Sequence, residues 1–168
     1  MAHKVVAHFI DHGIVKGTSM DVDPSRPVCH VHTADRGAVE VDLGQVKALF
    51  FVKDFNGQPD YNERQAPAAG DARLRGSHPV EITFRDGERL GGLMNRYPPQ
   101  GPFFFMLPMD PASNNLRILV NREAIDGMKR VEPEPAADGN STTAVPPRRP
   151  RRTTWVFDGK GIREVSAD

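Results

Sequence analysis

The sequence predicts an all-β protein made of two tandem five-stranded small barrels. Three observations favour this fold class. Residues 9–33 and 84–108 align without a gap at an offset of 75, apolar and polar residues alternate in most predicted strands, and neither copy shows a sustained helical period. Because five short strands in about 55 residues cannot form a sandwich, a closed or nearly closed barrel is the economical arrangement for each copy.

The repeat rests on identities at positions where backbone geometry is demanding. Seven positions agree between 5–35 and 80–110, whereas about two would coincide by chance at ordinary residue frequencies. Turn aspartates, a strand-ending glycine and loop-framing prolines are among them. The pairs are Val5 and Val80, Phe9 and Phe84, Asp11 and Asp86, Gly17 and Gly92, Pro24 and Pro99, Pro27 and Pro102, and Asp35 and Asp110. We infer a duplication.

Each copy reads as a series of strands and turns. In the second copy Val80, Ile82 and Phe84 alternate with polar residues, the Asp86-Gly87 pair favours a hairpin turn, and "RLGGLM" returns as the next strand. The loop "NRYPPQGP" precedes the strand "FFFML", and "LRILVN" and "AIDGMKRV" complete the set. The first copy follows with "VCHVH", "AVEVDL" and "VKALFFV". Cys29 alternates with His30 and His32, which predicts a small core residue.

The order of these elements resembles the Sm-like or SH3-like small barrel. The shared features are a "DG" turn between the first two strands, a glycine that ends the second strand, a proline-framed loop and the closing "LRILVNREAIDGMKRV". The resemblance covers 4–53 and 79–132. The chain, including "LFFVKDFNGQPDY", is also similar to a group of uncharacterised bacterial proteins. No counterpart of the Sm-like RNA-contacting residues is present in the corresponding loops.

The predicted organisation has five parts. Residues 1–65 form the first barrel with an ordered trailing segment, 66–78 a loose linker, and 79–132 the second barrel. Residues 133–152 are rich in Pro and Arg and are expected to be disordered, since they cannot support a packed core. Residues 153–168 form a short C-terminal hairpin around "DGKG" that docks on a barrel or on a partner.

Partner-binding residues are predicted where apolar side chains exceed what one barrel interior needs. Both faces of "PFFFMLP" are apolar, with Phe104 and Met106 on one face. The opposite face is expected to be covered by the first barrel, by the C-terminal hairpin or by a partner chain. Phe55 and Tyr61 are expected to anchor 54–64 on the first barrel, with ligand stacking as the alternative. The candidate partner-binding residues are Phe103, Phe105, Leu107, Phe55, Tyr61 and Trp155.

A basic run near the C-terminus is the candidate nucleic-acid contact. Arg148, Arg149, Arg151 and Arg152 surround Pro150, and such an arm can neutralise phosphates in RNA; a solubilising linker balanced by Glu132 and Glu134 is the alternative. Arg148 and Arg152 also have the "RxxxR" spacing of PilZ cyclic dinucleotide receptors. Only 16 residues follow Arg152, and the "DxSxxG" part of that pattern is absent.

Catalysis, metal binding and cofactors are not predicted. "GxSxG", "HExxH", Walker and dinucleotide patterns are absent. Asp11 and Asp86 fit separate hairpin turns rather than a catalytic pair. His30 and His32 share a strand face, but no cysteine or carboxylate lies at a supporting spacing in the sequence, so a solvated face is favoured over a metal site.

Composition favours a cytoplasmic binding protein. The 22 basic and 22 acidic residues balance, one cysteine excludes an internal disulfide framework, and no window approaches the roughly 20 apolar residues of a membrane span. The sequence therefore predicts a non-catalytic adaptor that presents barrel surfaces to a protein partner or to copies of itself, without membrane association. The alternatives are an RNA-binding Sm-like protein that uses barrel loops and the "RRPRR" arm, and a cyclic dinucleotide-responsive signalling protein.

Overall fold

The computed structural model describes residues 1–135, 153–157 and 162–166 of the 168-residue chain. The predicted all-β class is confirmed in these segments, whose only helical elements are 3-10 turns at Leu43–Gln45, Ala72–Leu74 and Arg122–Ala124. The strands are β1 (His3–Phe9), β2 (Ile14–Ser19), β3 (Val28–Thr33), β4 (Gly37–Asp42), β5 (Val46–Val52), β6 (His78–Phe84), β7 (Arg89–Met94), β8 (Phe103–Pro108), β9 (Asn115–Asn121), β10 (Ile125–Arg130), β11 (Thr153–Phe157) and β12 (Ile162–Ser166).

Strands β1 to β10 form one antiparallel sheet in the order β10-β6-β7-β8-β9-β5-β1-β2-β3-β4. The order within the first half, β5-β1-β2-β3-β4, recurs in the second half as β10-β6-β7-β8-β9. The two halves join where β5 pairs with β9, a strand pairing that the prediction of two tandem barrels did not include. Strands β11 and β12 pair as a separate antiparallel hairpin. No helix in the described segments is long and apolar enough to cross a membrane.

The two halves agree in detail as well as in strand order. Strands β6, β7 and β8 begin and end 75 residues after β1, β2 and β3, and β10 begins 79 residues after β5. His12 and Gly87, 75 residues apart, both have positive φ in the first hairpin turn of their half. Asp42 and Asn121, 79 residues apart, each accept a hydrogen bond at the start of the 3-10 turn before the last strand. The second half therefore repeats the first, with four more residues in the β8–β9 region.

Each half has its own core. The first core consists of Val5, Ala7, Val15, Cys29, Val31, Val41, Leu43, Val46, Leu49 and Phe51, together with Leu119 of the second half. The second core consists of Val80, Ile82, Phe84, Met94, Phe104, Met106, Ile118, Val120 and Ala124, together with Ala48 of the first half. Cys29 is fully buried, as predicted, and burial raises the pKa of its thiol to about 11.

The paired strands β5 and β9, which we call the junction, supply apolar side chains to both cores. Leu49 of β5 lies opposite Leu119 of β9, and both belong to the first core. Ala48 of β5 belongs to the second core, and Phe50 packs against it. Because adjacent residues of a strand point to opposite faces, a strand buried on both faces needs a nearly continuous apolar run. This requirement accounts for the sequence "VKALFFV".

Glycines at equivalent positions allow the second and third strands of each half to approach closely. A Cβ on Gly17 would overlap the backbone carbonyl of His32, and a Cβ on Gly92 would meet the backbone carbonyl of Leu107 and the side chain of Met106. Both pairs are again 75 residues apart. The neighbouring strand cannot move away without breaking backbone hydrogen bonds of the sheet, so only glycine fits at these two positions.

We expect Gly17→Ala to lower the free energy of unfolding by about 1–3 kcal/mol, because the added methyl group collides with backbone rather than with a flexible side chain. Gly127→Ala is the matched control, since a Cβ there meets no atom within 4 Å. Urea denaturation measures both. Equal unfolding midpoints for the two variants would contradict the assigned role of Gly17.

Candidate partner-binding surfaces

A buried lysine ties the first half to the turn between β6 and β7. Lys47 of β5 is 7% exposed, and its Nζ donates to Asp86 Oδ2 at 2.8 Å and also to the carboxylate of Glu88. Burial alone would lower the pKa of Lys47, but these bonds outweigh it and the pKa is raised. Asp86 also accepts the backbone N–H of Glu88, so the predicted turn role is confirmed and an ion pair is added to it.

His8 lies beside this ion pair. It is the partner of Ala48 in the β1–β5 ladder, next to the bulge at Lys47, and its ring centre is 4.6 Å from that of Phe50. Burial and the positive charges of Lys47 and Lys16 lower the pKa of His8 from 6.5 to about 4. The imidazole is therefore neutral at pH 7, which avoids a second positive charge beside Lys47.

The aromatic residues of β8 contact the first half of the same chain. Phe103 and Phe105 are half-buried and pack against the first core, with the Phe105 and Phe51 ring centres 6.1 Å apart. The guanidinium of Arg117 lies 4.2 Å from the Phe51 ring centre and 4.6 Å from that of Phe105. Among the partner-binding candidates on this strand, Leu107 is the most open to solvent, at 41% exposed. Packing against the first half, one of the expected covers, accounts for the two phenylalanines.

Tyr61 and Phe55, two further candidates, lie in the segment that follows β5. The Tyr61 hydroxyl donates to Asp110 Oδ2 at 2.7 Å, and this bond to a carboxylate raises the pKa of Tyr61. Phe55 is half-buried with Lys4 Nζ 5.8 Å from its ring centre. Asp54 exchanges hydrogen bonds with Asn114. The segment 54–64, expected on the surface of the first barrel, thus also makes several hydrogen bonds to the β8–β9 loop of the second half.

Residues 66–78, expected to be a loose linker, are tied to the same part of the second half. The guanidinium of Arg73 donates to the backbone carbonyls of Pro108 at 2.8 Å and Met109 at 2.7 Å, and it pairs with Asp71. Asp110 receives the backbone N–H of Arg64. Asp110 and Asn114 form hydrogen bonds with residues 54–64, which connect the two halves. Both lie in the β8–β9 region, where the second half is longer than the first. The four extra residues therefore coincide with a docking place for the connecting segment.

The histidines of β3 lie on a solvated strand face, as expected. His30 Nδ1 is 2.7 Å from Asp21 Oδ2, and His30 Nε2 is 3.9 Å from Glu40 Oε2. The bond to Asp21 raises the pKa of His30, and bonds from His30 lower the pKa of Asp21 to about 2. Sequence spacing missed these carboxylates because they come from other strands or loops. In the described segments no three His, Cys, Asp or Glu side chains are placed to hold a metal ion.

The remaining candidates come from the C-terminal part of the sequence. The backbone of Trp155 is in β11, opposite Glu164 of β12. Arg148, Arg149, Arg151 and Arg152 lie outside the described residues, as does most of the segment 133–152 that was expected to be disordered.

An apolar groove runs beside β10, which is one of the two end strands of the sheet. The groove has a volume of about 370 Å³ and is lined by Tyr97, Pro98, Pro99, Ile125, Gly127 and Met128, with Arg122 and Asp126 at its polar margin. The guanidinium of Arg130 lies 4.8 Å from the Tyr97 ring centre, and Arg122 donates to the Pro99 carbonyl at 3.0 Å. Sequence reasoning identified "NRYPPQGP" only as a loop, because its proximity to β10 arises from the β6–β10 pairing.

A family model described as "Family of unknown function (DUF6982)" matches residues 1–132. The chain belongs to this family. No curated protein and no solved structure matches this chain significantly. The DUF6982 match spans both halves of the sheet and ends two residues after β10. The family region therefore contains the junction, the connecting segment and the groove, and it excludes the basic run.

In this DUF6982 chain, the sequence carries a signal for the Lys47 ion pair that strand alternation alone does not reveal. A single charged residue inside the apolar run "VKALFFV" must either be exposed or have a partner, because an unpaired buried ammonium group is costly. The partner could not be named, since Asp86 and Glu88 come close only through the pairing of β5 with β9.

We expect Lys47→Met to lower the free energy of unfolding by about 1–3 kcal/mol, because it leaves two partly buried carboxylates without their cation. Lys129→Met is the matched control. Lys129 pairs with Glu81 at 3.2 Å, but its side chain is 69% exposed, and exposed ion pairs contribute at most about 1 kcal/mol. Chemical denaturation at neutral pH compares the two variants. A loss no larger for Lys47→Met than for Lys129→Met would refute the role of the buried ion pair.

The pKa of His8 predicts a pH dependence of stability. In the unfolded chain His8 takes up a proton near pH 6.5, whereas in the folded chain it does so only near pH 4. The free energy of unfolding that neutral His8 contributes is therefore complete above pH 6.5 and is lost as the pH falls towards 4. The expected loss is on the order of 1–3 kcal/mol. His8→Phe keeps an aromatic ring beside Phe50 and should flatten this slope. His32→Phe, at an exposed position on β3, should retain it; an unchanged slope in His8→Phe would exclude His8 as the cause.

Proposed function

We propose that this chain is a non-catalytic protein-binding module that takes an extended peptide segment of a partner along β10. The observation that carries the proposal is the coincidence of a free sheet edge with an apolar groove. An extended peptide can add to such an edge through main-chain hydrogen bonds, while adjacent pockets select alternate side chains. Both parts of this recognition mode are supported at β10.

The shape of the groove supports a strand-like ligand. Gly127 is in the middle of the β10 segment that lines it, and the space above its Cα is open. Ile125 and Met128 are partly buried against the second core while also lining the groove, so their positions are fixed by packing. Side chains that are already held by packing lower the entropic cost of forming the complex.

Charges at the edge support a peptide that combines apolar and acidic residues. Arg130 is exposed at the end of β10 and Arg122 lies at the margin of the groove, whereas Lys129 is paired with Glu81. Asp126 lines the groove near the beginning of the strand. An excess of positive charge at one rim favours acidic ligand residues there and disfavours basic ones.

The fold we propose for each half is a small barrel of the Sm-like or SH3-like kind. Support comes from the common order of the five strands and from cores that draw side chains from all five strands of a half. In this arrangement the end strands present their unpaired edges to solvent, where a partner can reach them.

The proposal is tested with a displayed library of random peptides selected on the immobilised chain. Gly127→Leu should fill the groove without disturbing the fold, because nothing lies within 4 Å of a Cβ there. Selected peptides should bind this variant at least roughly tenfold more weakly, equivalent to about 1.4 kcal/mol. Ala38→Leu, an exposed change on the opposite edge strand β4, should bind like the wild type. Failure to select peptides, or equal binding to Gly127→Leu, would contradict the proposal.

A further inference from the structure

The junction provides a template for how two copies of this chain could join. It pairs β5, the fifth strand of the first half, with β9, the fourth strand of the second half. The free edges of the sheet are β4, the fourth strand of the first half, and β10, the fifth strand of the second half. Since the halves are repeats, β10 of one copy and β4 of another could meet in the same backbone arrangement. Such a head-to-tail contact would continue from copy to copy.

Strand β10 does not carry the side chains that β5 uses at the junction. In β5, Ala48 and Phe50 face the second core. The equivalent residues of β10, 79 positions later, are Gly127 and the exposed Lys129. A contact with the geometry of the junction would therefore place an ammonium group where the junction has a partly buried phenyl ring.

Strands β3 and β4 also carry polar residues where β8 and β9 carry the apolar residues of the junction. At the junction Phe105 lies opposite Leu119, and both side chains pack on the first core. The equivalent pair in the first half is His30 opposite Glu40, both exposed. The apolar contribution from this side of the contact is thus replaced by an imidazole and a carboxylate.

The lysine of the buried ion pair is replaced by an aspartate at the free edge strand β10. Lys47 is the bulged residue of β5, and Asp126 is the bulged residue at the same place in β10. Asp86, a partner of Lys47, corresponds to Asp11 in the first half. A contact built like the junction would place Asp126 against Asp11, which replaces attraction between opposite charges by repulsion between like charges.

We infer that the two free edges of this chain are built against pairing with each other, so that the junction forms once within the chain and does not recur between copies. The apolar and ionic features of the junction are both altered at the equivalent free positions. Polar or charged residues on edge strands are a general means of preventing edge-to-edge association. This inference is independent of peptide binding at β10, because it concerns only contacts between copies.

Two half-grafts test it. The first carries Asp126→Lys and Lys129→Phe, which give β10 the junction residues of β5. The second carries His30→Phe and Glu40→Leu, which give β3 and β4 the junction residues of β8 and β9. Sedimentation velocity should give the mass of one chain, 18.6 kDa, for the wild type and for each half-graft alone. An equimolar mixture of the two half-grafts should give a species of twice that mass, because only the mixture contains both matching edges.

Each half-graft serves as the control for the other, since non-specific adhesion of the added aromatic rings would make it self-associate. Circular dichroism establishes that both are folded. Folded half-grafts that stay separate on mixing would overturn the inference. Wild-type chain that itself forms species of double mass or more would overturn it as well.

Discussion

The burial of β5 and β9 on both faces is the constraint on which the rest of the structure depends. Each of these strands contributes apolar side chains to two cores, so neither core is complete without a strand from the other half. Small domains bury a limited fraction of their surface, and five strands alone would leave such a core thinly covered. At the junction each half adds apolar side chains to the core of the other half, which increases the buried apolar surface.

Duplication followed by divergence gives a physical account of the asymmetry between the halves. The strand bounds, the turn at His12 and Gly87 and the cap at Asp42 and Asn121 are shared, so the backbone plan was retained. Several positions that the junction uses carry different chemistry at the equivalent free edges. Lys47 against Asp126 is the clearest case, because the same bulge carries opposite charge.

Much of the fold could be predicted from the sequence, because period-2 alternation and an ungapped repeat are local signals. They indicated the all-β class, the strands of both halves and the burial of Cys29. The pairing of β5 with β9 could not be predicted in the same way, since it depends on which edges meet across about 70 residues of sequence. The one sequence signal of this pairing was that both faces of "VKALFFV" and "FFFML" are apolar. The groove was missed for the same reason: Tyr97 and Met128 are neighbours only after β10 pairs with β6.

The central claim is that the junction makes one cooperative unit of the two halves, and amide hydrogen exchange under native conditions tests it most directly. Amides of β5 and β9 should be among the slowest to exchange, since both strands are flanked by paired neighbours, whereas β4 and β10 should exchange faster as end strands. Exchange in β5 and β9 as fast as in β4 and β10, with the two halves opening independently, would contradict the account.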